Sequence, residues 1–360
     1  MLFRSIDVRQ EQDSSITLSQ EFYSSSIGDV NIPARRMSEP DTNGLVKHEV
    51  SEGKKTLGEI QWLATQSAPL LAARCGILQR ECVLGAPPRA LKDIQELVRD
   101  ARTTKFKELN IQRLPTVKRP EDLAVAIFGY SSHMNRTKCG STGGILGVVA
   151  PPEFLKGEMA EAFPVMLRSW KLTRKAIGSN DAEVQSIHEA ENQLYKMRIL
   201  MGELCSFGIP FGRDWDSRVD ACHRAIHGCV ITDSRGGYDS VTLNESANLS
   251  LSSSRSAVQA FSLKDSLQDA NTPLLWVASD WNRADSLTKV APECRKPLGQ
   301  FLKVRKWRVR FDPNFVVAAK KAERSAVQIV QDAHEQPVGT LWPSDHGTDD
   351  QDFPDLERLR

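Results

Sequence analysis

The stretch LAVAIFGY, Leu123 to Tyr130, runs eight residues almost without a polar side chain. A strand with one face in water alternates apolar and polar residues, so a continuous run of this length fits a central strand covered on both faces. Covering both faces requires layers on either side, which points to an α/β architecture. The downstream pattern agrees. Ser141 to Ala150 sets Gly143, Gly144 and Gly147 among Ile145, Leu146, Val148 and Val149 and reads as a second strand; Val165 to Leu172 reads as a third. Asp181 to Leu204 is the clearest helix, because Ile187, Ala190, Leu194, Met197, Met201 and Leu204 recur at steps of three and four, with Gly208 just beyond. Cys229 to Asp233 and Leu274 to Ala278 supply two more short strands. The expected fold is a mixed five-stranded sheet with flanking helices.

Composition sets outer limits. With 360 residues, 40% apolar and 26% charged, the chain has material for a sizeable core. The net charge of +1 carries no polyelectrolyte signal, but its distribution is uneven. Residues 295–324 hold ten Lys or Arg against two acids, and 325–360 hold eight acids against two Arg. Seven Cys without paired spacing, and no secretory leader at the N-terminus, predict a reduced intracellular setting, cytoplasmic or nuclear. No apolar run approaches the roughly 18 residues of a membrane helix, so no membrane partner is expected.

Ahead of the sheet the chain reads differently. Arg9 to Ile27 predicts a turn, a strand at Ile16–Leu18 and a short helix through Phe22, Tyr23 and Ile27. Met37 to Lys54 is polar and reads as a loop. Leu57, Ile60, Trp62 and Leu63 predict one amphipathic helix; Leu70, Leu71, Cys75 and Leu78 predict another after Pro69. Leu91 to Lys105 is a further helix whose Lys92, Arg99, Arg102 and Lys105 form either a solvated charged face or a nucleic-acid contact.

Three acidic residues stand at positions with chemical potential, each with a structural alternative. In WVASDWNRADSLTK (Trp276 to Lys289), a strand is followed by a turn and a helix start at Arg283, with Asn282 as N-cap. Asp285 is then either a carboxylate favoured by the helix dipole or a functional group. Glu183 lies four residues before Ile187, on the buried stripe of its helix, and either closes a capping box from Asn180 or meets a partner in the core. Asp233 ends its strand, as an N-cap for the next segment or as a site residue.

Together these motifs resemble the C-terminal part of copia-type LTR retrotransposon Pol proteins. A strand carrying W-V followed by A-D-x-L-T-K, the helix segment SNDAEVQSIHEAENQ against S-S-x-x-A-E-x-x-A-x-x-E-A, and T-D-S at a strand end are similar to that family's ribonuclease H domain. The segment at 57–79 resembles its G-x-L-x-W-L-A-x-Q-x-R-P-D junction, with Ser67-Ala68-Pro69-Leu70 in place of R-P-D; Ile16 to Tyr23 is similar to the end of its reverse transcriptase. The resemblance covers roughly residues 9–290. It implies a small, mostly helical reverse transcriptase remnant over 1–115, a ribonuclease H-like domain over 116–312 and a polar, largely disordered tail over 313–360. It further implies Glu183, Asp233 and Asp285 as ligands of Mg2+ or Mn2+, and an RNA–DNA hybrid or other nucleic acid as partner. Two such ions would clamp the attacking water and the leaving oxygen of a phosphodiester.

One element departs from the family pattern. Aligning Asn135-Arg136 and Gly143-Gly144 places Tyr130 where the family carries the first Asp. A phenol with a pKa near 10 does not replace a bridging carboxylate, and Asp122, eight residues back, is about 26 Å away along a strand. The expectation is a metal-dependent endoribonuclease fold that is weak or inactive here. The alternatives are a catalytically dead nucleic-acid-binding or domesticated scaffold of the same fold, and an unrelated α/β scaffold. His133 reads as an exposed loop histidine, with a stray metal ligand as the alternative. Cys222, His223, His227 and Cys229 do not have a zinc-finger spacing, and the two Cys read as core or surface thiols. The run KVRKWRVR (Lys303 to Arg310), like Trp170-Lys171, is either a phosphate-tracking surface or, for the run, an amphipathic strand burying Val304, Trp307, Val309 and Phe311.

Overall fold

In the computed structural model, which describes residues 6–104, 108–112, 114, 116–136, 140–205, 214–242, 251 and 253–310, the chain opens with a hairpin. Strands β1 (Asp7–Gln10) and β2 (Ile16–Ser19) pair antiparallel, and α1 (Glu21–Ser26) and α2 (Ala34–Met37) follow. Helix α3 (Lys47–Gln66) begins well inside the segment expected to be a loop. The reason is polar rather than apolar: the Glu49 carboxylate accepts from the Val46 backbone N–H at 2.9 Å, and the Arg36 guanidinium grips the same carboxylate at 2.6 Å. Leu57, Ile60 and Leu63 are fully buried, whereas Trp62 is 40% exposed and faces away from the core. A 3-10 turn at Pro69–Leu71 leads into α4 (Ala72–Glu81), and α5 (Arg89–Thr103) buries Leu91, Ile94, Leu97 and Val98. Of the basic residues on α5, Arg102 is tied to the Ile27 carbonyl and to Asp29. Strand β3 (Glu108–Ile111), absent from the sequence reading, pairs with β2.

The apolar run becomes β4 (Ala124–Arg136), longer than expected by six residues at its polar end, so His133 is a half-buried strand residue near the Ala176 carbonyl and not a loop histidine. Then come β5 (Gly140–Ala150), β6 (Ala160–Glu161), β7 (Phe163–Lys171), α6 (Ser179–Cys205), α7 (Trp215–Ala225), β8 (His227–Thr232), α8 (Arg235–Thr242), α9 (Ser254–Asp269) and β9 (Leu274–Trp276). The five-stranded sheet runs β7-β5-β4-β8-β9, with β4, β5 and β7 antiparallel neighbours and β4, β8 and β9 parallel. The chain ends its described part with α10 (Pro292–Val304) and β10 (Lys306–Trp307), which pairs with β6. Val304, expected in a strand, closes α10 and is exposed; Val309 is buried as expected. Phe311 and the expected polar tail at 313–360 lie outside the described residues.

The alternation of side chains along β4 explains the layering. Leu123, Val125 and Ile127 join Val184, Ile187, Ala190, Leu194 and Leu263 beneath α6 and α9. Ala124, Ala126 and Phe128 point the other way, into one continuous cluster with Leu57, Ile60, Leu63, Leu91, Ile94 and Leu97 of the N-terminal helices. The change at residue 116 is therefore one of architecture, helices before and sheet after, and the core runs across it. Arg136 crosses the same boundary, donating to the Gly76 carbonyl of α4 at 2.6 Å. On the opposite layer the guanidinium of Arg198, on α6, is buried and tied to the carbonyls of Ile226, Ala270 and His223 and to the Thr272 hydroxyl. No described helix is long and apolar enough to cross a membrane.

Gly144 lies opposite Tyr130 in the β4–β5 register. A Cβ on it would stand 2.8 Å from the Ala284 carbonyl oxygen and 3.0 Å from Leu287 Cβ. Its bare backbone is what allows the 3-10 turn Arg283–Leu287 to lie directly on the sheet. Gly144→Ala is expected to lower stability by about 1–3 kcal/mol, the usual cost of overpacking against a fixed backbone. Thermal melting measures this, and an unchanged midpoint would show that the turn yields easily.

Candidate functional site

The site gathers at one end of the central strand. Asn282 caps the Arg283–Leu287 turn, its Oδ1 accepting from the Ala284 N–H at 3.1 Å as the sequence predicts. Its Nδ2 does more: it donates to the Gly129 carbonyl at 3.1 Å and to Asp233 Oδ1 at 2.8 Å. One amide thereby joins the last turn, the central strand and the end of β8. Asp233 is not the cap of α8; Ser234 takes that role, its hydroxyl accepting from the Gly237 N–H. Nor does Glu183 close a capping box. Asp181 accepts from the Ile177 and Gly178 N–H groups instead, and the Glu183 carboxylate reaches across to the Ser131 backbone N–H at 3.1 Å.

Tyr130 stands between these two contacts, its carbonyl accepting from the Ser186 hydroxyl at 2.7 Å. Its phenol lies in the negative field of Asp285, Asp233 and Glu183. Lys289, four residues after Asp285, places its ammonium 2.7 Å from Asp285 Oδ1 and 5.1 Å from the centre of the Tyr130 ring. The turn is held from below by Asn135, whose amide donates to the Thr288 carbonyl at 2.8 Å. Structure thus brings Glu183, Asp233 and Asp285 to one place, with Tyr130 in their midst.

Electrostatics follow from burial and crowding. Burial raises Glu183 well above the usual carboxylate range; the Asp233 charge adds to this and the Ser131 bond opposes it. Burial likewise pushes Asp233 up to about 6, against the hydrogen bonds from Asn282 and Ser279 and with the Asp285 charge adding. Burial and the three carboxylates hold the Tyr130 phenol neutral. Burial alone would lower Lys289, but its bond to Asp285 and the surrounding acids outweigh it and raise it, so it stays charged.

A stability consequence follows. Folded Asp233 keeps its proton up to about pH 6, whereas an unfolded Asp releases it near 4. Across that window the native state binds more protons, so this group's contribution to stability falls as pH rises. Asp233→Asn is expected to raise the melting temperature at pH 7 by about 2–4 °C, corresponding to ~1 kcal/mol, with the gain shrinking toward pH 4. A lower midpoint at pH 7 would mean that the carboxylate is a structural bond acceptor first.

The donor set can be tested against the ions that the sequence resemblance implies. Three hard carboxylate oxygens are of the right type for Mg2+ or Mn2+. The fourth place is a neutral phenol, an ammonium already stands against Asp285, and among the described residues no three His, Cys, Asp or Glu side chains form a ready metal cage. The set falls one carboxylate short of the pattern that the resemblance implies. Elsewhere, Cys222 and Cys229 are both buried thiols, Cys229 within β8, as the core alternative predicts.

Sequence reasoning missed two functional contacts. The i,i+4 spacing of Asp285 and Lys289 was a visible signal for their pairing. The second bond of Asn282 was not, since a cap residue gives no sign of what its free amide will meet. No family model, no curated protein and no solved structure matches the chain.

Proposed function

We propose that the chain is a ribonuclease H-like module of copia-type Pol descent, preceded by a reverse transcriptase remnant, that binds nucleic acid and has lost cleavage of RNA in RNA–DNA hybrids. The observation that carries this reading is the meeting of Glu183, Asp233 and Asp285 around Tyr130. They come from a helix, a strand end and the last turn, far apart in sequence. Glu183 and Asp233 do not serve their local caps, while Asp285 lies in the first turn of its 3-10 helix, as its structural alternative also has it. The element order, three antiparallel strands, two helices, a strand, two further helices and a strand, supports the same reading.

In a functioning site the metals supply the activated water and the stabilised leaving oxygen. Here Glu183 and Asp233 remain poised as oxygen donors, Asn282 and Ser131 orient them, and Tyr130 fills the first-strand position without supplying a charge. The direct test is a labelled RNA–DNA hybrid incubated with the purified chain and Mg2+ or Mn2+. The expected result is binding without cleavage. Robust cleavage that Glu183→Gln abolishes would refute the loss of activity, and an absence of hybrid binding would refute the nucleic-acid partner.

A further inference from the structure

The basic run at the end of α10 folds back across the turn that carries Asp285. Arg305 takes a left-handed φ of 55° and reverses the chain, so that Lys306–Trp307 can pair with Ala160–Glu161. The reversal brings two tryptophans together, with the ring centroids of Trp281 and Trp307 5.0 Å apart. Guanidinium groups lie on both rings. Arg283 is 3.5 Å from the Trp307 centroid, and Arg308 and Arg310 are 5.9 and 5.2 Å from that of Trp281.

Two features of this stack are not explained by packing. First, among the described residues neither Arg283 nor Arg308 forms a salt bridge; Arg283 is buried and its Nη1 donates only to a backbone acceptor, the Asp280 carbonyl at 2.9 Å. Second, three shielded N–H groups, Arg283 Nε, Trp307 Nε1 and Arg308 Nε, have no acceptor. Buried donors are nearly always partnered. All three orphans are donors, so what they lack is an acceptor, and the guanidinium charges of Arg283 and Arg308 favour an anionic one. A guanidinium stacked on a ring has its faces covered while its in-plane N–H edges stay available, which is the geometry that receives phosphate oxygens. The sequence reading left the run 303–310 open between a buried strand and a phosphate-tracking surface; its one short strand, Lys306–Trp307, leaves Lys306 exposed beside the stack.

We propose that the Trp281–Trp307–Arg308 stack, with the buried Arg283 behind it, is a contact surface for the phosphodiester backbone of nucleic acid. A backbone is favoured over a single small anion because the cations extend along a chain segment, as a polymer of phosphates requires. The inference rests on the nucleic-acid part of the proposed function and not on the history of the carboxylates.

The test is fluorescence anisotropy of a labelled RNA–DNA hybrid with the full chain in EDTA, over a range of KCl concentrations. Arg308→Gln is expected to weaken binding about tenfold and to reduce the slope of log affinity against log salt by about 0.9, one phosphate contact. Trp281→Leu, which keeps every charge but removes the ring under Arg308 and Arg310, is expected to weaken binding as well. Lys196→Gln, at an exposed position on α6, is expected to leave it unchanged. If Arg308→Gln and Trp281→Leu keep their melting temperatures and bind like wild type, the proposal is overturned. If the full chain binds no hybrid at low salt but a chain ending at residue 324 does, the acceptor is the acidic segment 325–360, and the proposal is likewise overturned. Because EDTA excludes cleavage, this result and that of the cleavage assay fail independently.

Discussion

Tyr130→Asp is expected to give the protein magnesium-dependent cleavage of the RNA strand of an RNA–DNA hybrid, where the natural chain is expected to give none. The position is already organised for a carboxylate. The Ser131 N–H holds Glu183 on one side, Asn282 fixes Asp233 on the other, and Gly144 opposite leaves room for the turn bearing Asp285. Asp is smaller than Tyr, so access is not an obstacle. Restoring one preorganised electrostatic group is worth on the order of 10² in rate, judged from the cost of removing one elsewhere. The same substitution has a second readout. A fourth acid crowds the cluster, so the variant should melt lower than wild type in EDTA and recover with Mg2+ or Mn2+, because a cation that binds only the folded state stabilises it. Adding Glu183→Gln should remove both effects. A variant that neither cleaves nor responds to metal in its melting would show that Tyr130 is not the lesion.

Arg198→Met carries the largest expected loss of stability. The guanidinium donates to three carbonyls and a hydroxyl from the α7–β8 junction and from the turn after α9, one of which, the Ala270 carbonyl, also accepts from the Thr272 hydroxyl. Burial lowers its pKa to about 10, which still leaves it charged at neutral pH. Methionine fills the volume and strands the acceptors, each of which costs about 1–3 kcal/mol when buried unpaired. A loss of roughly 3–5 kcal/mol, or on the order of 10 °C in melting temperature, is expected. Arg198→Lys should recover only part of it, since a single ammonium cannot span the same fork of acceptors. A melting temperature within a degree or two of wild type for Arg198→Met would show that water replaces the guanidinium.

Much of the sheet was legible because its signals are local. The apolar run at Leu123 to Tyr130, the period of α6 and the turn at Asn282 each declare themselves within a dozen residues. What escaped depended on distant partners. Helix α3 starts at Lys47 because Arg36 is there to meet Glu49, and nothing in the polar stretch before Leu57 announces that pair. Trp62 satisfied the helical period yet faces outward, since period alone does not fix the width of the buried stripe. At the site, spacing left Glu183, Asp233 and Asp285 open between capping and function; the family resemblance singled them out, but not what each would bond. Both capping alternatives were reasonable from spacing. They failed because Asp181 and Ser234, one or two residues away, were better placed to cap.

The helices that roof one face of the sheet precede it in the chain, and this order has a consequence for how the protein is made. Helices α3 to α5 leave the ribosome before the sheet and depend mainly on near neighbours, so they can assemble early. The β4–β5 hairpin then emerges onto an apolar surface already waiting for Ala124, Ala126 and Phe128. The slow step is the parallel pairing of β4 with β8, roughly a hundred residues later, as from Phe128 to Ile231. During that delay the nascent strand has one side sheltered, and only the side that α6 will later cover is left open to the wrong partners.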